Sequence, residues 1–355
     1  HVFNFTNTTT GKTKNSYTWD FGDGSNSNDS NYFNKTYSKD STYQITLTAN
    51  TLKSCQSSVT KTVRLGTYPK ANFTVSKDKQ CFKNNSFNFS STSSIKKGTI
   101  NTYLWTFGDN SNANTSSVNN KTYNTEDSFN VKLITYSDLG CTDTISKQVI
   151  VFAQPKSNFS INNNTQCLNE NKVIFTNSST LKYGTLTYLW NFGNAQNSTS
   201  KDNTVVYSSA SNYNVSLVST SDNGCKDTII KQVQINASPI ASFINIKDKQ
   251  CFRDNKFNFI NNSSVVSGNI TDNYWNMGDG NSFNQITLNN YKYNSEDTFN
   301  IQLVVKTNNN CYDTAYSTSV TFPQPKANFS INEIVQCYNQ QNYIFTNSSS
   351  LKEGT

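Results

Sequence analysis

The 355-residue chain carries 30 Lys and Arg against 23 Asp and Glu, a net charge of +7, with 34% hydrophobic residues, 13% aromatic residues, 8 Cys, 57 Asn and a single His at position 1. One terminal His cannot build a triad, a histidine general base or a His-ligated zinc site, so neither catalysis nor a metal or other cofactor is expected. Apolar runs of five or six residues are too short to cross a bilayer, no secretory leader opens the chain, and Lys is spread without a basic run, so the chain is read as not membrane-embedded and without a nucleic-acid partner.

Self-similarity organises the rest. Trp falls at 19, 105, 190 and 275, spacings of 86, 85 and 85, and the cysteines form two phased series, 55, 141, 225, 311 and 81, 167, 251, 337. The text around each Trp recurs as Tyr17-Thr-Trp19-Asp-Phe21-Gly-Asp-Gly24, Tyr103-Leu-Trp105-Thr-Phe107-Gly-Asp-Asn110, Tyr188-Leu-Trp190-Asn-Phe192-Gly-Asn194 and Tyr274-Trp275-Asn-Met277-Gly-Asp-Gly280. Proline recurs before each new unit, at Pro69, Pro155, Pro239 and Pro325, which sets repeats at 1–67, 68–153, 154–238, 239–323 and 324–355. Aligning Phe3-Asn-Phe5 with Phe87-Asn-Phe89 places the start of the sequence inside a unit, and the fifth copy breaks off after Lys352-Glu-Gly-Thr355; the sequence is read as a piece of a longer array.

Within a unit the hydrophobic period is two. In the second repeat strands are expected at 71–76, 86–91, 102–108, 119–123 and 128–136, and a last one carries Ile145, Val149 and Val151. Six or seven short strands separated by turns, with no convincing helix, predict an all-β chain of tandem antiparallel, immunoglobulin-like sandwiches, arranged as an elongated rod. Trp19, Trp105, Trp190 and Trp275 are then central core residues. Tyr37, Tyr123, Tyr207 and Tyr293 each precede a second aromatic by six residues, the spacing of a corner between sheets.

Tyr17-x-Trp19-x-Phe21-Gly-Asp-Gly24, followed by Tyr37-x5-Tyr43-x-Ile45-x-Leu47, resembles the polycystic kidney disease (PKD) domain, whose signature is Trp-Asp-Phe-Gly-Asp-Gly. All four Trp-containing units carry the resemblance, most loosely the third, where Gly193-Asn194-Ala195 replaces Gly-Asp-Gly. The Gln-Cys pairs and the Gly-Cys-x-Asp-Thr text at 140–144 and 224–228 are similar to PKD arrays in large surface proteins of Bacteroidota, among them gliding-motility adhesins of the SprB type exported by the type IX system. That resemblance implies an extracellular, cell-surface protein.

Gly22-Asp23-Gly24, Gly108-Asp109 and Gly278-Asp279-Gly280 are what a tight connection between strands needs: glycine for positive φ and an Asp that bonds its own backbone. The rival reading pairs Asp20 with Asp23 for catalysis or calcium, but Thr106, Asn191 and Asn276 occupy the Asp20 position in the other copies, which favours a turn.

Eight phased cysteines imply disulfides and an oxidising compartment. One series lies between the first two strands and the other between the last two, at opposite ends of a sandwich, so bonds between successive repeats are preferred: Cys81–Cys225 and Cys167–Cys311. Cys55, Cys141, Cys251 and Cys337 are then expected to pair outside the sequence. An intradomain set (81–141, 167–225, 251–311) and an across-linker set beginning with 55–81 are the alternatives.

These readings favour a structural stalk or filament segment of a very large extracellular repetitive adhesin with no catalysis. Its partners are neighbouring repeats, other copies in a filament, and surface glycans or substratum met through parts outside the sequence. The alternative is a set of carbohydrate- or matrix-binding accessory modules of a secreted hydrolase. Against that alternative, aromatics outside the core alternation (Tyr32, Phe33, Phe283, Tyr312) do not recur in phase. Thr144, Thr228 and Thr314, each after Asp and before an aliphatic residue, resemble the O-glycosylation sequence of Bacteroidota, with the start of a strand as the plainer reading.

Overall fold

The computed structural model describes residues 2–11 and 15–351, apart from the side chains of residues 15, 32, 33 and 340. His1, the residue that closes off histidine chemistry, and the terminal Lys352-Glu-Gly-Thr355 lie outside the described residues. Regular structure among the described residues is β throughout, save one 3-10 turn at Tyr338–Gln340. Two compact units result: His1–Pro155 with Leu181–Thr185 and Ser221–Cys225, and Lys156–Thr180 with Leu186–Thr220 and Lys226–Thr355.

In the first unit, the second repeat shows the complete plan. A five-stranded sheet runs in the order Asn112–Ala113, Ile100–Thr106, Ser128–Ser137, Thr142–Phe152, Lys79–Cys81, and a three-stranded sheet in the order Ser117–Lys121, Phe87–Ser91, Phe73–Val75. Strict alternation decides the packing. Phe129, Val131 and Leu133 face inward from one strand and Val149 and Val151 from the next, and all meet Phe73, Phe87, Phe89, Trp105 and Phe107 in one core. The first repeat has the same larger sheet in four strands, centred on Asn15–Asp20 and Thr42–Thr51, beside a two-stranded pair, Val2–Phe5 with Tyr32–Thr36.

The second unit contains the body of the third repeat and the fourth, each again with a five-stranded and a three-stranded sheet. Their cores draw on the same strands, although Ser319 and Thr321 are buried in the fourth repeat where Val233 and Ile235 are buried in the third. Of the fifth repeat, Phe329–Ile331 pairs antiparallel with Phe345–Asn347.

Two strands per repeat go beyond the sequence expectation. Gln80 and its neighbours are not a loop residue group but a short strand, Lys79–Cys81, which pairs parallel with the end of the last strand so that Cys81 stands opposite Phe152. The same parallel strand recurs at Thr165–Cys167 and Lys249–Cys251. Lys79, Gln80 and Cys81 have no hydrophobic alternation to reveal them. They are held instead by a side chain: Gln80 donates to the Ser86 carbonyl at 2.8 Å and accepts from the Ser86 amide at 3.0 Å. The other added strand, Asn112–Ala113, is only two residues long.

Candidate functional site

The Gly-Asp-Gly segment is a double side-chain-to-backbone turn. Asp20 accepts from the Gly22 amide at 2.8 Å and Asp23 from the Ser25 amide at 3.1 Å; Asn191 with Gly193, and Asn276 with Gly278, repeat the first bond. The two glycines answer to different constraints. A Cβ on Gly22 would sit 2.6 Å from the Gln44 carbonyl oxygen, and one on Gly278 2.6 Å from that of Asn300, so this position tolerates no side chain. Gly24 has φ +85° with open space around it, and Asn110 and Ala195 take its place in other copies at φ 67°. Gly108 and Gly193 approach the neighbouring strand in the way Gly22 does.

The second carboxylate of the turn is matched to the residue two before the corner Tyr. Lys35 pairs with Asp23 at 2.8 Å and Lys121 with Asp109, while the Tyr291 hydroxyl donates to Asp279 at 2.6 Å. Where the third repeat has Asn194 in place of the acid, the partner position is the buried Val205. Burial pushes the Asp23 carboxyl up, but hydrogen bonds from Lys35 and Ser25 outweigh it and hold its pKa at about 2. Asp109 is lowered by the same balance. An acid that takes Lys or Tyr as its partner, and is replaced by Asn where that partner is Val, belongs to a structural pair. Among the described residues no group of three or more His, Cys, Asp or Glu stands where it could hold a metal.

The Trp and Tyr positions form one recurring corner. Trp19, Trp105, Trp190 and Trp275 are 0–5% exposed, and each indole nitrogen donates to a carbonyl ten residues on, at Asp29, Thr115, Ser200 and Gln285. Tyr37, Tyr123, Tyr207 and Tyr293 donate through the hydroxyl to the carbonyls of Phe21, Phe107, Phe192 and Met277, tying the end of the Trp strand to the corner. Each stacks on its second aromatic, Tyr123 on Phe129 at 3.9 Å and Tyr293 on Phe299 at 3.8 Å between centroids. Burial raises the Tyr37 and Tyr207 pKa values to about 12 and pushes Tyr123 and Tyr293 higher still.

A buried Asn completes this corner and escaped the sequence reading. Asn85, Asn171 and Asn255 are 6%, 4% and 1% exposed. Each accepts from the corner Tyr amide and donates to that residue's carbonyl and to a carbonyl three positions before itself, at Phe82, Leu168 or Phe252. Three backbone groups are satisfied by one amide. Its signal is Cys-x3-Asn, counted from Cys81, Cys167 and Cys251.

The Asp of Cys-x-Asp-Thr also has a defined task. Asp143, Asp227 and Asp313 accept from the amides of Ala71, Ser157 and Ala241, each 2.8 Å, fixing the start of the repeat to its last strand. Thr144 and Thr228 beside them are exposed and Thr314 is half-buried.

The cysteines fall into two classes of position. Those of the first series cap the last hairpin, where a Ser or Thr four residues earlier accepts from the Cys amide: Thr51 for Cys55, Ser137 for Cys141, Ser221 for Cys225 and Thr307 for Cys311. Those of the second series end the short parallel strand. In the first unit Cys81 is bonded to Cys225, and in the second Cys167 to Cys311, both with Cα atoms 5.5 Å apart and 144 residues between them in sequence. Cys225 and Cys311 are wholly buried. Cys55, Cys141, Cys251 and Cys337 form no disulfide among the described residues.

Among the aromatics outside the alternation, Phe283 is not an open platform: it packs on the fourth core and meets Tyr291 edge-on at 5.7 Å. Its edge strand, Ser282–Asn284, turns it inward. Tyr312 is 69% exposed and is joined on the outer face of its sheet by Tyr274 and Tyr316, 55% and 72% exposed, which the register places opposite Val304 and Gln302. The side chains of Tyr32 and Phe33 lie outside those described.

These sandwiches, with their Trp core, corner Tyr and Gly-Asp turn, define a class of tandem β-sandwich repeats. The chain belongs to the PKD domain family, whose model matches residues 1–66, 67–151 and 153–235, about two thirds of the sequence. Among solved structures it is similar to the PKD1 domain of Vibrio anguillarum Epp (31% identity, TM-score 0.21, covering 23% of this chain and 94% of that one). It is similar also to the PKD1 domain of the Vibrio cholerae metalloprotease PrtV (27% identity, TM-score 0.22, covering 24% and 98%). A tetra-tandem repeat from the extending region of a large adhesion protein matches at 10% identity and TM-score 0.30, covering 86% of this chain and 91% of that one. No curated protein matches the chain. PKD repeats and disulfides fit an extracellular protein, and no helix among the described residues is long and apolar enough to cross a membrane.

Proposed function

We propose that this chain is a load-bearing stalk or filament segment of a large, repetitive extracellular adhesin, without catalysis of its own. The observation that carries the reading is the pairing of cysteines from successive repeats, Cys81 with Cys225 and Cys167 with Cys311. A bond inside one sandwich stabilises that sandwich; a bond between repeats transmits load past the linker. The flanking Gln-Cys and Gly-Cys-x-Asp-Thr text, similar to that of Bacteroidota arrays, extends the proposal to a gliding-motility or attachment filament delivered by type IX secretion, with O-glycans on Thr144, Thr228 and Thr314. Solution scattering from the oxidised chain tests the stalk: a rod-like distance distribution supports it and a compact particle refutes it. Intact-mass analysis of the secreted protein without hexose increments removes the glycans.

A second reading, a carbohydrate- or matrix-binding module, is favoured by one observation, the exposed trio Tyr274, Tyr312 and Tyr316 on one sheet face. Tyrosine rings offer an apolar face with a polar edge, suited to sugar rings. The corresponding residues of the third repeat are Leu189, Lys226 and Ile230, and of the first Thr18, Gln56 and Thr60, so the trio belongs to one repeat only. Glycan-array binding lost in Tyr312→Ala and Tyr316→Ala variants would establish this reading.

A further inference from the structure

The two disulfides overlap in sequence: Cys167 lies inside the loop closed by Cys81–Cys225, and Cys225 inside the loop closed by Cys167–Cys311. Their consequence is topological and follows from connectivity alone. Treat each bond as a node. The first node is joined to the second by three separate stretches of chain: Cys81 to Cys167, 86 residues; Cys167 to Cys225, 58 residues; and Cys225 to Cys311, 86 residues. A pull applied to the chain before Cys81 and after Cys311 is therefore divided among three covalent routes in parallel.

We propose that this interlocked pair is a covalent extension limiter, which protects the third repeat from unfolding under load and caps how far the segment can lengthen. The cap is set by the shortest route. Without the bonds the 230 residues from Cys81 to Cys311 could extend to about 800 Å; with them the limit is the 58-residue route, about 200 Å.

A tighter limit acts while the neighbours stay folded. Cys81 stands opposite Phe152 in the parallel ladder, so a folded second repeat leaves only the 15 residues from Phe152 to Cys167 as free route, about 50 Å. On the third route the Asp313 carboxylate holds the Ala241 amide two residues from Cys311, so a folded fourth repeat leaves the 16 residues from Cys225 to Ala241, a similar length. The third repeat cannot be drawn out beyond that length until both of its neighbours give way. Parallel ladder strand, clamp Asp and the two cysteine positions thus act as one device.

The limiter supplies a mechanism for the load-bearing reading and rests on that reading for its biological meaning. Single-molecule force spectroscopy on the whole chain, held by its ends, tests it. Relative to the oxidised protein, Cys81→Ser with Cys225→Ser should lengthen the fully stretched molecule by 28 residues, about 100 Å, and so should Cys167→Ser with Cys311→Ser. All four changes together should lengthen it by 172 residues, about 600 Å. Reduction of the unmodified protein in the instrument should give the same 172-residue gain, which guards against a variant that folds poorly. A gain of 118 residues from the first pair alone would mean intradomain bonds and overturn the proposal, as would no gain from either pair. A compact particle in scattering would remove the stalk and leave these differences intact, whereas missing differences would remove the limiter and leave the stalk.

Discussion

Asn171 is the sharpest test of how a chain so rich in Asn holds its corners. Replacing it with Ala leaves the Tyr207 amide, the Tyr207 carbonyl and the Leu168 carbonyl without the partners they now meet at 2.7, 2.8 and 2.8 Å. The site is 4% exposed, so water replaces the lost amide poorly. A buried unsatisfied group costs about 1–3 kcal/mol; allowing partial relaxation of three, the loss is about 2–4 kcal/mol. Against the roughly 4–13 kcal/mol expected of a domain this size, the third repeat would lose a large share of its stability. Hydrogen exchange followed by mass spectrometry on the peptide containing Tyr207 reads this locally: protection should fall about thirty- to a thousandfold. Asn171→Asp, which keeps the acceptor for the Tyr207 amide but sets a carboxylate oxygen against the Tyr207 and Leu168 carbonyls, should cost at least as much. A change below threefold for Asn171→Ala would refute the reasoning, because it would mean that those backbone groups find other partners at little cost.

Other expectations follow from the same geometry. Gly22→Ala should destabilise the first repeat far more than Gly24→Ala, since only the first drives a Cβ into the Gln44 carbonyl; equal melting shifts would contradict this. Because the Asp23 pKa is depressed to about 2, its contribution is complete above the unfolded value of about 3.9 and is lost as pH falls from there toward 2; Asp23→Asn should abolish that acid dependence at a cost of at most about 1 kcal/mol, the pair being partly exposed. For Tyr37 and Tyr207 the sign is opposite. Their raised values, about 12, preserve stability below the unfolded pKa of about 10 and lose it as pH climbs from 10 toward 12, so phenolate absorbance should rise late and together with unfolding. Tyr123→Phe, which removes the 3.0 Å bond to the buried end of the Trp strand, should cost about 1–2 kcal/mol in chemical denaturation.

The parts of this fold visible in the sequence are those marked by rare residues. Four Trp and two cysteine series set the period, and the alternation of Phe129, Val131 and Leu133 gives the strands and their inward faces. Asn85, Asn171 and Asn255 recur as regularly, yet a residue type present 57 times does not stand out by recurrence. What distinguishes them is burial, which only the folded corner creates. Asp143, Asp227 and Asp313 read as part of a modification sequence because their partners, the amides of Ala71, Ser157 and Ala241, lie about seventy residues upstream. The parallel strand ending in Cys81 was hidden for a related reason, since its stability comes from ladder bonds and the Gln80 side chain and not from buried apolar area. Phe283 misled in the other direction: its neighbours Ser282 and Asn284 suggest a loop tip, while edge pairing opposite Trp275 brings its ring onto the core.

How the chain carries load depends on which cysteines are joined. Mass-spectrometric mapping of nonreduced digests of the oxidised protein reads this directly. The account predicts one linked peptide pair containing Cys81 and Cys225 and another containing Cys167 and Cys311; a linked pair of Cys81 with Cys141, or of Cys167 with Cys225, would contradict it.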